Sequence, residues 1–429
     1  MPNARTFTMK TATLVFVVAL LLRIVAVVLR GEHLPAGDMH TFGDEHTRVA
    51  IKLVQGLGFG SPFTDDATPT FYVAPLLPLL TAGIRWLSRS DSVTFYALLS
   101  LNLIASALLP VIGGLIAEKL QWPRRVVLLT AVLLCICPQA FRAAGAITDE
   151  ALFVTGTAAV ILLLAHFRQH ARWWQLPLAG VAIGGLSLLN PAMLWPLLIA
   201  APFLLVSPER VTRWPLRGAL SFVLVAAGAA LAVSPWLIRN AQLDRSLAFT
   251  ITHNRAILLW SAINPLDRER DDAGRVTLRA IHPSQGSETL RNGEGYMTEL
   301  EYNRLCASRA AQKFRRGEVF HTDHVLTQLS ALATSYHEAR RWQIDPAPPT
   351  LIQGGIAILG LCGLFFNARR IGFGMVIFNV ILIIVYAYPI CLIEGSARAR
   401  HPLDLLLIIG IAWLVHAALP ARSNAHSAS

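Results

Sequence analysis

Acid is what this sequence has least of for its size: 26 Asp and Glu among 429 residues, against 37 Lys and Arg. Charged residues of both signs reach only 15%, while hydrophobic residues make up 54%. A soluble domain of this length would expose far more charge, so a soluble globular fold is excluded. The apolar–polar alternation of an outer-membrane barrel is also missing, and it would have to run over about ten residues per strand. Nor does a small-residue cleavage pattern follow the first apolar run, 11–29. That run is longer than a signal h-region and ends at Arg30, so it is expected to remain as a span. The 5 cysteines form no framework. Cys135, Cys137, Cys362 and Cys391 lie in or beside apolar runs, and only Cys306 lies in a polar stretch. The histidines show no metal-ligand spacing on an apolar face, and Gly56 and Gly58 do not follow a strand, which removes a dinucleotide loop. No internal repeat is visible.

What remains is a series of apolar runs of a length that crosses a bilayer, with mean hydropathy +0.51. They lie at 11–29, 92–117, 126–143, 151–166, 176–189, 192–206, 220–237, 350–366, 373–393 and 403–419. The expected fold is an all-α polytopic membrane protein with about ten transmembrane helices. The whole chain, 1–429, reads as one transmembrane domain. A first outer loop, 30–91, carries interfacial helices, one of them at 75–87, too short to cross upright. A second long outer stretch, 239–349, lies between spans seven and eight. Its segments 300–315 and 325–336 have helical spacing, and they are expected to pack on the outer membrane face or on the first loop.

The net charge of +11 does not point to nucleic acid, because no basic stripe interleaved with aromatics is present. The excess sits in short connections, such as Arg124–Arg125, Arg168–Arg172 and Arg369–Arg370. By the positive-inside rule these are cytoplasmic, together with both termini. Both long polar stretches then face outward.

Against this background the few acids at the outer boundary stand out. Asp44 and Glu45 precede a short amphipathic run ending at Gly56, and Asp149 and Glu150 open the fourth span. Acids at such places serve as helix caps. Two acidic positions on one side of the membrane can also share a cavity, where they hold a metal ion or a base for a hydroxyl proton. Arg398 and Arg400 break the positive-inside trend at the outer end of the last span, and Arg239 stands at the outer end of the seventh. Arginine suits phosphate oxygens, and it also snorkels to headgroups.

In order along the chain come "GDEHTRVA", "QGLGFG", "PTFYVAPLLPLL", "TDEALF", "SPWLIRN" and "RARHPLD". With this series the chain resembles the GT-C superfamily of integral-membrane glycosyltransferases. The resemblance is to bacterial members related to the lipid A aminoarabinose transferase and the protein O-mannosyltransferases. It implies transfer of a sugar from a polyprenyl-phosphate carrier to an acceptor hydroxyl on the outer face of the inner membrane, with inversion. It implies Asp44, with Glu45 as its substitute, as the acid that activates the acceptor, and Asp149, with Glu150 as its substitute, as a second catalytic acid. Asp44 and Asp149 are then the candidate ligands of a divalent cation. Glu150, Tyr72, Arg239, Asn240, Arg398 and Arg400 are implied to bind substrate. The acceptor is a glycolipid, a polysaccharide or a protein. Two departures stand against the family pattern: "YVAP" lacks an arginine before its proline, and Asn190-Pro191 replaces Arg-Pro. A transporter or flippase of lipid-linked sugars, and a glycan polymerase or ligase, are the alternative readings.

Overall fold

The structure is a computed structural model. It describes residues 7–35, 39, 45–64, 67–170, 172–205, 214–254, 256–257, 298–316, 347–393 and 397–419, with four short strands between 268 and 296. Helices dominate. They are α1 (Met9–Leu29), α2 (Glu45–Val54), α3 (Leu76–Ser88), α4 (Asp91–Lys119), α5 (Arg124–Cys135), α6 (Pro138–Gly145), α7 (Glu150–His170) and α8 (Gln175–Leu189). A 3-10 turn (Pro191–Met193) leads into α9 (Leu194–Leu205) and α10 (Trp214–Leu243). Beyond α10 lie two small antiparallel hairpins, β1–β2 (Arg268–Arg270, Val276–Leu278) and β3–β4 (Arg291–Asn292, Gly295–Tyr296). Then come α11 (Glu299–Arg315), α12 (Ala347–Phe366), α13 (Ala368–Ile371), α14 (Phe373–Ile393) and α15 (Ala397–Ala418).

Each apolar run expected from the sequence is helical. Among the described residues, α1, α4, α7, α10 and α15 are long and apolar enough to cross a membrane. The pair α5–α6, bent by 46°, passes the same test as a unit. The apolar helices α8, α9, α12 and α14 have shorter described apolar lengths, and α3 spans the 13 residues expected of the short segment in the first loop. The segment 325–336 and Asp44 lie outside the described residues.

The bundle is organised around α4, which packs against α1, α5, α6 and α7. Helix α1 meets it through a single stripe, Ala19, Arg23 and Val27, at the i, i+4 spacing of one helix face. Its other faces expose Leu14, Leu21 and Val25, as suits a helix bordering lipid. Two helix pairs approach backbone to backbone. Gly180 of α8 lies on the Val225 carbonyl of α10, and Gly363 of α12 lies on the Gly410 carbonyl of α15. In neither place is there room for a side chain. Small residues serve this purpose between membrane helices, where apolar burial gives no preference for protein over lipid.

The bend between α5 and α6 has an identifiable cause. Pro138 carries no N–H, so the Leu134 carbonyl four residues earlier loses its helical donor. Arg23 replaces it. Its Nη2 donates to Leu134 O at 3.3 Å, and its Nη1 donates to Cys135 O at 3.3 Å and to Ala19 O at 3.0 Å. Its Nε donates to Ser106 Oγ at 2.7 Å, and that hydroxyl donates to Ala140 O at 2.7 Å. The guanidinium also lies 5.3 Å from the Phe141 ring centroid. A cation with no exposed surface is thus placed where the backbone offers spare carbonyls. Replacing Arg23 with Leu leaves these buried acceptors without donors, and it should destabilise the bundle by about 3 kcal/mol or more. Arg23→Lys, which lacks the planar fork, should recover only part of this. Thermal melting of the detergent-solubilised protein measures the effect, and an Arg23→Leu variant that melts like wild type would refute this account of the bend.

Candidate functional site

One end of the bundle gathers the chemistry. The turn between α6 and α7 is held by Asn102 of α4, whose Nδ2 donates to Ala146 O at 2.5 Å and to Thr148 O at 3.3 Å. This turn delivers Asp149 and Glu150, both buried, onto different partners. Asp149 Oδ2 accepts from Asn190 Nδ2 at 2.9 Å, and Asn190 Oδ1 accepts from Ala192 N at 3.1 Å as the cap of the 3-10 turn. Glu150 Oε1 pairs with Arg142 of α6 and lies 3.0 Å from His401 Nδ1 of α15. Arg142 is further steadied by Gln139 Oε1 at 2.8 Å. The adjacent acids of "TDEALF" therefore part at the helix start, one toward α8 and the other toward α6 and α15.

The same end carries a layer made by the first loop and the segments after α10. Glu299, the first residue of α11, is buried in it. Its carboxylate accepts from the Ser61 hydroxyl, from Thr70 Oγ1 at 2.8 Å and from Phe71 N at 3.2 Å. Burial pushes its carboxyl above the usual range, and these hydrogen bonds and the charge of Lys52 only partly offset the effect. Arg239 makes a second seam. It donates to Thr70 O at 3.1 Å, Phe59 O at 3.3 Å and Asn240 Oδ1 at 2.9 Å, with Trp236, Phe59 and Phe71 rings 4.6, 5.3 and 5.5 Å from its guanidinium carbon. Asn240 Nδ2 donates to Thr250 O at 2.7 Å, and Asn254 Nδ2 donates to Tyr72 O at 2.9 Å. Tyr72 is itself buried, its ring edge-on to Phe63. So α11 packs on the first loop, one of the two placements expected for it.

Between this layer and the bundle lies a pocket of about 480 Å³. Pro191 and Trp195 line it from the α8–α9 corner, Phe249 and His253 from the segment after α10, and Asn303 and Arg304 from α11. Arg304 also reaches Asp244 Oδ2 and Ser246 Oγ, each at 3.2 Å. Burial, then the nearby Arg304, pushes the His253 imidazole down, so it favours the neutral form. Hydrogen bonds from Ser246 hold the Asp244 carboxyl below its usual range. Asp149 stands one hydrogen bond, through Asn190, behind the Pro191 wall.

Of the residues expected at the site, Asp149 and Glu150 share one turn, and Tyr72, Arg239 and Asn240 share the loop layer. Glu45 opens α2. Asp44 lies outside the described residues, as do the side chains of Arg398 and Arg400, although both positions fall in the first turn of α15. Among the described residues no three His, Cys, Asp or Glu side chains converge to hold a metal ion. Arg142, His253, Glu299 and Arg304 were not expected from sequence. Glu299 has one signal there, as an acid next to the Thr298–Glu301 capping box of an otherwise basic helix.

The fold is shared with a known enzyme. The crystal structure of the Archaeoglobus fulgidus oligosaccharyltransferase, tethered through a disulfide bond to an acceptor peptide containing the NVT sequon, matches with a TM-score of 0.54 and 15% sequence identity. The match covers 96% of this chain and 50% of that one, so this chain spans about half the length of that protein. No family model and no curated protein matches the sequence.

The raised carboxyl of Glu299 has a pH consequence with a definite sign. A group whose pKa is higher in the folded state adds stability below its ordinary pKa, and that stability is lost as pH rises through the folded value. The layer should therefore melt at progressively lower temperature as pH rises from the ordinary value of 4.5. In Glu299→Gln this contribution should vanish. A wild-type-minus-variant difference in Tm that stays flat with pH would overturn it.

Proposed function

We propose that this protein is a GT-C-type membrane glycosyltransferase that moves a sugar from a polyprenyl-phosphate carrier to an acceptor hydroxyl. The fold shared with an oligosaccharyltransferase over 96% of the chain carries this reading. The resemblance of the ordered sequence motifs, found independently of the fold, supports it. So does the arrangement of an acid-bearing turn, a pocket and an arginine-bearing helix start at one end of the bundle.

In this reading Asp44 is the general base, with Glu45 as its neighbour and substitute, and Asp149 is the second acid, set behind the pocket wall by Asn190. The base takes the proton of the acceptor hydroxyl as its oxygen bonds to the anomeric carbon. The bond from that carbon to the phosphate oxygen breaks in the same displacement, inverting the centre, and the electron pair leaves on the phosphate. Arg398 and Arg400 meet the charge that grows there. The leaving group is good, so positioning and charge stabilisation supply most of the acceleration. A cation held by Asp44 and Asp149 would need further ligands, and the described residues do not bring a set together; no step is assigned to it. Tyr72, Arg239 and Asn240 act by shaping the pocket through the loop layer. The carrier tail lies in the bilayer; the charge pattern favours the outer face for both long polar stretches, and the resemblance to bacterial members points to the inner membrane.

The test is complementation in a strain whose surface glycan changes when this chain is lost. Asp149→Asn and Asp44→Asn should each reduce restoration by about 100-fold or more at normal protein abundance. Full restoration by both variants would overturn the proposal.

A further inference from the structure

The contact between Glu150, Arg142 and His401 is buried, joins three helices, and is given no role by the reaction just described. Glu150 and His401 are 5% and 2% exposed at their side chains, and Arg142 is 30% exposed. A pair this buried is a poor surface for a sugar to reach. Its place in the sequence is the informative part. Glu150 directly follows Asp149, and His401 directly follows Arg400. A single contact thus lies one residue from the second acid and one residue from an arginine of the α15 start. Each flank has an independent anchor: Asn102 and Asn190 on the acid turn, and the Gly363–Gly410 approach along α15. The contact with Glu150 adds a polar tie at the first turns of α15 to the backbone approach further along it.

We propose that Glu150, Arg142 and His401 form a lock that fixes the first turn of α15 against the Asp149 turn. Glu150 is then a positioning residue and does not contact substrate. Arg142 satisfies the charge of the carboxylate, and His401 gives the contact its direction, because Oε1 must meet a ring nitrogen at the start of α15. A fork-shaped cation and a ring nitrogen on one carboxylate oxygen fix geometry more tightly than a lone ion pair. The consequence for catalysis rests on the transferase reading: displacing the arginine-bearing turn by about 1 Å would cost up to about 100-fold in rate.

The experiment uses the full chain in lipid nanodiscs and has two arms. In the first, hydrogen exchange is followed at 146–152 and at 397–404. His401→Ala and Glu150→Ala should each speed exchange at both segments by about ten-fold, and His401→Asn, whose Nδ2 keeps a donor at the Nδ1 position facing Glu150, should stay within about two-fold of wild type. His401→Ala that leaves 146–152 unchanged overturns the lock. In the second arm the probe is a long-chain polyprenyl phosphate without sugar. His401→Ala should weaken its binding about ten-fold, with recovery in His401→Asn, although neither side chain touches the lipid. Unchanged binding alongside loosened exchange overturns the link from the lock to the carrier. A wild-type chain that binds no carrier overturns the transferase reading, and the exchange arm then still decides the lock.

Discussion

The architecture depends on a cation placed where a broken helix exposes its carbonyls. In lipid an unsatisfied backbone group costs several kcal/mol, so a helix can break only where something else supplies the donors. Pro138 removes one donor and the bend removes another; the planar fork of Arg23 answers both from the neighbouring helix. An ionisable residue within a span is by default a functional hypothesis. Here its functional weight is indirect. The bend sends α6 off at 46° and sets Arg142 toward Glu150, and Glu150 in turn holds His401. Polar contacts from the first apolar helix and from the last thus meet on the same short helix, α6.

The layer beyond the bundle is built by the same logic with the signs exchanged. A buried carboxylate, Glu299, collects two hydroxyls and an amide from the first loop, while a guanidinium, Arg239, collects carbonyls of the same loop. Both belong to segments far away in sequence, so each closes a long loop, and the entropy of closure is offset by several contacts made together. The aromatic faces around Arg239 add attraction and exclude water that would compete for its donors. The pocket is the space left between this layer and the α8–α9 corner, so its shape depends on both seams.

The sequence showed where chain would be helical, because long apolar runs have few other ways to satisfy their backbone in lipid. Every apolar run found by reading coincides with a helix. It also singled out Asp149 and Glu150, since acids are rare enough beside the apolar runs to be conspicuous. It did not show which helices pair. In a helix that is apolar on all sides, periodicity carries no facing information, and the signal lies in small residues such as Gly180 and Gly363, whose partners are distant in sequence. Nor did it reveal Glu299, and it set His401 only beside the arginines of "RARHPLD", without a role. A buried acid and a surface acid are the same letter, and only tertiary packing says which donors surround it. Arg239 was legible as a special cation, but phosphate affinity and aromatic caging draw on the same planar charge. Its partners in the structure are carbonyls and rings.

The doubled acid of "TDEALF" divides between two sets of partners. Successive residues at a helix start project in different directions, so adjacent carboxylates cannot serve one ligand equally. Asp149 accepts from a neutral amide, Asn190. Glu150 is matched against a guanidinium and an imidazole. A buried carboxylate that joins helices needs its charge satisfied, because breaking a buried pair leaves an uncompensated ion. The division of partners separates the two acids, which the order of the letters does not. In the transferase reading proposed above, Glu150 holds the start of α7 against α6 and α15, and Asp149 is the acid beside it.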